Sequence, residues 1–228
     1  MDDASFIAAL QLADSFFPSG MVTLSHGLEA FVSAQPHSQQ DIHPLLEDYL
    51  HTKIAPCDLV AYAHAHRAAQ ELNHERLLVV DDFLTVSLLP HELRQGSRRS
   101  GRALLETLTS LVEHPLFQQF AQAVRDGHTD GNAAVSFGLV SALWDIPLRV
   151  GGMMQLYTFA VSFLGAAMRL GCLGHREAQR ILLVLRPQLP ALVDHACQRD
   201  LNEIGSFAPL ADIRAMQHAY LPVRLFAS

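Results

Sequence analysis

The stretch that most limits how this chain can fold is an uncharged run of 19 residues, 150–168, between Arg149 and Arg169. An α-helix needs about 20 apolar residues to cross a bilayer, so the run is long enough to be considered as a membrane span. Polar residues such as Gln155 and Ser162 interrupt it, however, and no polybasic segment flanks it. The composition therefore favours a helix that is buried on most sides inside a bundle, with a membrane span as the alternative.

The rest of the chain carries the periodicity of helices. Apolar residues recur at three- and four-residue steps, as in SFIAALQLAD and RLLVVDDFLTVSLL, and no strictly alternating run indicates a sheet. Turn and stop signals divide the chain at Pro18-Ser19-Gly20, Pro36, Pro56, Pro90, Pro115, Asp126-Gly127, Pro147 and Pro187. The pattern predicts one all-α domain over residues 1–228, a bundle of about ten helices.

Local signals also predict where some helices begin and end. Asp41 is expected to cap a helix, because its carboxylate can accept hydrogen bonds from the first free backbone N–H groups. The predicted helices cover 41–50, a segment from 56 or 58 to 73, 132–144 and 148–170. The segment 205–228 is predicted to be a partly irregular C-terminal tail around one short helix, since Pro209 and Pro222 limit helix formation there.

Charge and cysteine content exclude several classes of protein. The chain has 16 Lys and Arg against 23 Asp and Glu, a net charge of −7, so a non-specific nucleic-acid binder is not expected. Its three cysteines, Cys57, Cys172 and Cys197, lie far apart, which argues against a disulfide framework or a structural zinc site. The N-terminus is acidic where a signal peptide would be positive, so a cytoplasmic protein is expected.

No motif for a known chemistry is present. The sequence contains neither a phosphate-binding glycine loop nor a G-x-S-x-G nucleophile turn. Of its 13 histidines, no two are three or four residues apart, so no helix presents a pair of them on one face. Glu71, His74 and Glu75 would share a face, which is typical of a solvated helix and could also hold a cation weakly. A helical metal-dependent enzyme using scattered His and Glu residues remains the alternative function.

The segment SHGLEAF places Ser25, His26 and Glu29 close together. Ser25 is predicted to be the N-cap of a helix, because a serine hydroxyl can accept a hydrogen bond from the first helical turn. His26 and Glu29 would then lie one turn apart on one face. Ser25 and His26 would point in different directions, so the segment predicts a binding surface or a polar passage rather than a catalytic site.

Arginines at positions 94, 98 and 102 repeat every four residues and so form a stripe along one predicted helix. Such a stripe is either a solvated face or a docking surface for an acidic partner.

Five blocks, in order along the chain, resemble the urease accessory protein UreF family. The first is LQLADSFFPSGMVTLSHGLEAFV (residues 10–32), with its leucine-rich helix, Pro-x-Gly turn and a Ser/His-x-Gly-x-Glu pattern. The others are RQGSRRSGRALLETL, VSFGLVSALWDIPL, LGCLGHREAQRILLVLRP and the C-terminal ADIRAMQHAYLPVRLFAS. Two positions depart from the family pattern: His175 stands where a glutamine is usual, and Ala219 where an acidic residue is usual.

The resemblance implies an all-α protein without enzymatic activity that acts as a chaperone in urease maturation. Family members dimerise, bind the accessory protein UreD (also called UreH) and recruit the GTPase UreG, so that nickel reaches apo-urease. No resident cofactor is implied, although nickel could pass through the complex. The candidate partner-binding residues are Ser25, His26, Glu29, Arg94, Arg98, Arg102, His175, Gln179, His218, Tyr220, Arg224, Leu225, Phe226 and Ser228.

Overall fold

A computed structural model describes residues 1–17, 23–34 and 42–227. None of these residues forms a β-strand, and the predicted all-α bundle is confirmed. The α-helices are α1 (Asp3–Ala13), α2 (Leu28–Ala34), α3 (Ile42–Tyr49), α4 (Leu59–Gln70), α5 (His74–Ser87), α6 (His91–Leu108), α7 (Pro115–Arg125), α8 (Ala133–Leu143), α9 (Leu148–Arg169), α10 (His175–Leu185), α11 (Leu189–Gln198) and α12 (Pro209–His218). The predicted turn at Pro18-Ser19-Gly20, the stop at Pro36, the cap at Asp41 and the candidate Ser228 lie outside the described residues.

The centre of the bundle is α4, whose residues are buried almost without exception. Four of its alanines are fully buried, and these short side chains let neighbouring helices approach closely. The closest neighbour is α8, where a Cβ added to Gly138 would lie 2.7 Å from the backbone oxygen of Tyr62. Helices α5, α9 and α11 also pack on α4.

The uncharged run forms most of α9. This helix is long and apolar enough to cross a membrane, but 56% of its most apolar window is buried inside the protein. Phe159 and Phe163 point into the core, and both lie beside the ring of Tyr49. The sequence-based expectation of a helix buried within the bundle therefore describes α9.

The predicted break before Pro56 was wrong, because the chain stays helical from α3 to α4 through a π-helix, Leu50–Asp58. A proline inside a helix has no N–H to donate, so one carbonyl oxygen of the preceding turn loses its usual partner. In that preceding turn, the carbonyl oxygen of Thr52 accepts a hydrogen bond from the backbone N–H of Phe207 at 3.1 Å. The oxygen of Pro56 accepts another from the N–H of Gly205 at 3.2 Å. The chain just before α12 thus donates two backbone hydrogen bonds to this π-helix.

One glycine in α6 and one in α9 provide a matched test of how closely α6 packs against the start of α8. A Cβ on Gly101 would collide with the carbonyl oxygen of Gly131 and lie 2.7 Å from the carbonyl carbon of Asn132, whereas a Cβ on Gly165 would meet open space. We expect Gly101→Ala to lower the free energy of unfolding by about 1–3 kcal/mol, since rigid backbone must move. Gly165→Ala is expected to raise it by about 0.5–1 kcal/mol through helix propensity. Urea denaturation measures both, and shifts of the same sign would contradict the close contact between α6 and the start of α8.

Candidate partner-binding site

One buried carboxylate, that of Glu29 in the first turn of α2, holds the C-terminal part of the chain. Its side chain is 5% exposed, and its Oε2 lies 2.7 Å from Nε2 of His218 at the end of α12. Its Oε1 accepts a hydrogen bond from the backbone N–H of Leu225 at 2.7 Å, and its Oε2 a longer one of 3.3 Å from that of Phe226. A single side chain near the N-terminus therefore positions both α12 and the tail.

A buried ion pair fixes the other end of α12. Nζ of Lys53, in the π-helix, lies 2.5 Å from Oδ1 of Asp212, and both residues are less than 10% exposed. Charges removed from water are stable only when they are paired. The pair therefore locks α12 against the π-helix, next to the backbone bonds made by residues 205 and 207.

The turn before α2 corrects the prediction for Ser25 and His26. His26 (φ 54°) and Gly27 (φ 82°) both adopt left-handed backbone conformations, so α2 begins only at Leu28, and Ser25 lies buried three residues before it, outside the N-cap position. A Cβ on Gly27 would lie 3.2 Å from the backbone nitrogen of Ala215, so glycine also permits the close approach of α12.

His26 does not share a face with Glu29, because the left-handed turn directs its ring toward α9. Its Nε2 lies 3.2 Å from Oγ of Ser162, and its ring centroid is 4.7 Å from that of Phe159. The hydroxyl of Tyr49 donates a hydrogen bond to the backbone oxygen of His26 at 2.9 Å. Burial lowers the pKa of His26 to about 4, so the ring is neutral near pH 7.

His26 also lines a cavity of about 770 Å³ among α1, the π-helix, α6, α8 and α9. The walls are mainly apolar, but Lys53 and Asp58 face the same space. Burial raises the pKa of Asp58 to about 6, although the neighbouring ammonium of Lys53 acts in the opposite direction. The cavity is thus a mainly apolar space, and one residue of the α12 anchor, Lys53, lines it.

Of the two apolar candidates near the end of the tail, Phe226 packs within the chain and Leu225 does not. Phe226 is 7% exposed, and the guanidinium carbon of Arg169 lies 4.5 Å from its ring centroid. Leu225 is 70% exposed and Tyr220 is 88% exposed, and Arg224 is exposed as well. One side of the tail therefore packs against the bundle, and the other side exposes large side chains to solvent.

Large exposed apolar side chains also follow the same segment through α12, and we call this set the C-terminal apolar surface. Its large side chains are between 44% and 88% exposed: Phe207, Leu210, Ile213, Met216, Tyr220, Val223 and Leu225. Sequence reasoning identified only two of these residues. The three-residue spacing of Leu210, Ile213 and Met216 was the available signal, since it places them on one side of a helix.

The arginine stripe of α6 is engaged within the chain. Arg94 donates to the carbonyl oxygens of Leu88 and Leu89, at the end of α5, at 2.9 and 3.3 Å. Arg98 forms an ion pair with Asp130, whose backbone oxygen accepts from Nε of Arg102 at 3.2 Å. These contacts join α6 to the loop before α8, and binding of an acidic partner by the stripe stays a prediction.

The remaining candidates lie on α10, apart from the C-terminal apolar surface. His175 and Gln179 are exposed and one helical turn apart. Among the residues that the structure describes, no three His, Cys, Asp or Glu side chains converge on a possible metal site. In the Glu71–His74–Glu75 cluster, the distance from Nδ1 of His74 to the carboxylate of Glu75 is 4.0 Å.

Comparisons with known proteins agree with the five sequence blocks. The model of the UreF family matches residues 37–186. A protein of Trichodesmium erythraeum (strain IMS101), named urease accessory protein UreF, is 35% identical over 228 residues, covering 100% of this chain and 98% of its own length. Proteins of the same name from Yersinia enterocolitica and from Yersinia pseudotuberculosis (serotype IB, strain PB1/+) are 30% identical, with complete coverage of both chains.

Proposed function

The chain belongs to the UreF family of urease accessory proteins, and from this membership we propose that it is a non-catalytic scaffold for nickel delivery to apo-urease. In this proposal the chain works in the cytoplasm as a homodimer, binds a UreD/UreH-like protein and recruits a UreG-like GTPase, whose activity it could also regulate. Nickel is the cargo of the complex and not a resident cofactor. Family members are accessory proteins rather than enzymes, so the metal-dependent enzyme is set aside.

The observation that carries the proposal is the C-terminal apolar surface. Monomeric proteins rarely expose a large contiguous apolar patch, and such patches mark binding sites. Here the patch lies on a segment whose opposite side is fixed by Glu29 and by the Lys53–Asp212 pair. Because the segment is already ordered, it loses little further conformational entropy when a partner covers it. We therefore assign the UreD/UreH-like partner to this surface.

Two exposed residues of the surface, each with a matched control, test the assignment. We expect Tyr220→Ala and Val223→Asp to weaken binding of the UreD/UreH-like protein at least tenfold, since each removes or charges an apolar contact at the interface. Tyr157→Ala on α9 and Val184→Asp on α10 change similar exposed side chains elsewhere and are expected to bind as the wild type does. Affinity is measured by surface plasmon resonance with the purified partner.

The circular dichroism spectrum and thermal midpoint of each variant establish that it is folded. Wild-type affinity in both Tyr220→Ala and Val223→Asp would remove the partner from this surface. Failure of the folded wild-type chain to bind either accessory protein would contradict the scaffold function itself.

A further inference from the structure

A second exposed apolar face lies on α5, and nothing within the described chain covers it. The inner side of this helix is buried through Leu77, Val80 and Leu84, as in any core helix. Its outer side carries three large apolar side chains, and two more lie two residues before the helix and two residues after it. All five are 38–70% exposed: Leu72, Val79, Phe83, Val86 and Leu89. We call these five residues the α5 apolar face. Exposed apolar patches that are rimmed by polar residues mark sites of protein–protein interaction.

The two charged residues that flank the centre of the face are opposite in sign. Arg76 precedes Val79 by three residues and Asp82 follows it by three, and both are exposed. Burial, with the nearby carboxylates of Asp81 and Asp130, raises the pKa of Asp82. Arg76 makes only a loose contact with Glu71, at 3.8 Å. Each side chain therefore gains from a close partner of the opposite charge.

The α5 apolar face and its two flanking charges are arranged so that the face can pair with a second copy of itself. In a two-fold antiparallel pair of helices centred on one residue, positions equally far before and after the centre come to the same level. With Val79 at the centre, Val79 comes level with its own copy, and Arg76 with the partner's Asp82. An apolar side chain thus meets its copy at the seam, and a cation comes level with an anion across it.

We propose that two copies of this chain associate through the α5 apolar face, as an antiparallel α5–α5 pair centred on Val79. The inference rests on the homodimer of the proposed function and names its interface. The interface does not include α12 or the tail, so each subunit keeps its C-terminal apolar surface free for the UreD/UreH-like protein.

Charge reversal tests the pairing, because each contact joins one copy's Arg76 to the other copy's Asp82. Arg76→Asp places two carboxylates opposite each other and Asp82→Arg two guanidinium groups, so each single variant is expected to raise the dimer dissociation constant at least tenfold. The double variant R76D/D82R restores opposite charges and is expected to return to within about threefold of the wild type. Sedimentation equilibrium over a concentration series measures the constant.

Position 79 also tests the register directly. Residue 79 lies on the proposed two-fold axis, so its Cα atoms in the two copies are close together. A disulfide needs Cα atoms within about 7 Å, and Val79→Cys is therefore expected to form one with the same residue of the second copy under mild oxidation. Val86→Cys would stand about 21 Å from its copy, at 1.5 Å per residue over two stretches of seven residues, and is expected not to form one. Peptide mass spectrometry separates these bonds from any made by Cys57, Cys172 or Cys197.

The outcomes separate this interface from the scaffold function. A wild-type chain that is monomeric both alone and with its partner bound overturns the interface, as does an R76D/D82R double variant that fails to re-associate although each single variant is folded. A 79–79 disulfide together with rescue by the double variant supports it. A dimer with the expected charge dependence that binds neither accessory protein overturns the proposed function and leaves the α5 interface standing.

Discussion

Asp81→Ala is expected to lower the free energy of unfolding by about 4 kcal/mol or more, a large part of the 5–15 kcal/mol that typically stabilises a domain. Asp81 lies in α5 and is fully buried. Its Oδ2 accepts hydrogen bonds from the hydroxyl of Thr129 at 2.6 Å and from the backbone N–H groups of Asp130 and Gly131 at 2.9 and 2.7 Å. Its Oδ1 accepts from the backbone N–H and the side-chain amide of Asn132, at 2.8 and 3.0 Å.

The size of the effect follows from the hydrogen-bond donors of residues 129–132, which would lose their acceptor. Alanine would leave several buried N–H and O–H groups without an acceptor, and each costs about 1–3 kcal/mol when water cannot reach it. The loop they belong to leads into α8, which packs on the central helix α4 and against Gly101 of α6. Loss of the carboxylate therefore disturbs three elements of the core at once.

Two further variants define the role of the carboxylate. Asp81→Asn keeps the shape but replaces one acceptor oxygen with an amide that faces other donors, so a loss of about 2–3 kcal/mol is expected. Asp48→Ala changes an exposed aspartate of α3 and should stay within about 0.5 kcal/mol of the wild type. Urea denaturation at one fixed protein concentration gives all three values. Equal stability of the Asp48 and Asp81 alanine variants would show that the clamp on residues 129–132 is not required.

Much of the helical architecture could be predicted from sequence because local signals determine it. The predicted helices 132–144 and 148–170 correspond to Ala133–Leu143 and Leu148–Arg169, with Pro147 fixing the boundary between them. The error at Pro56 involves long-range contacts, since the backbone N–H groups of residues 205 and 207 donate to carbonyl oxygens of the π-helix. No sequence pattern near residue 56 predicts a hydrogen-bond donor about 150 positions away.

The candidate site was harder to predict for the same reason. The resemblance drew attention to Glu29, His218 and the tail as candidates for partner binding, but it did not indicate that Glu29 holds the other two from within. The left-handed turn at His26 likewise depends on the close packing of Gly27 against α12, and it sends the histidine ring toward α9. Periodicity predicts which face of a helix is apolar, but not which distant segment will cover that face.

The second large effect is expected at Glu29. Glu29→Ala should raise the hydrogen-exchange rates of the amides of Leu225 and Phe226 about 100-fold, because the change removes the acceptor for both. Breaking a buried, hydrogen-bonded charged contact costs about 3–5 kcal/mol, and about 1.4 kcal/mol corresponds to a factor of ten. His218 also loses its partner, so the end of α12 should exchange faster as well. Hydrogen–deuterium exchange with mass spectrometry measures the effect on tail peptides.

A graded series shows why the carboxylate matters for binding as well as for order. Glu29→Gln keeps one acceptor oxygen for the tail, and its amide can donate to Nε2 of His218 if the ring proton moves to Nδ1, which is buried without a partner. Its effect should therefore be smaller than that of alanine, whereas Glu177→Ala, on the exposed side of α10, should have none. Affinity for the UreD/UreH-like protein should follow the same ranking: it should fall about tenfold in Glu29→Ala and less in Glu29→Gln. The reason is that a loosened tail must be ordered again on binding, which costs conformational entropy. Faster tail exchange with unchanged affinity would separate the anchor from recognition, and unchanged exchange would contradict the anchor itself.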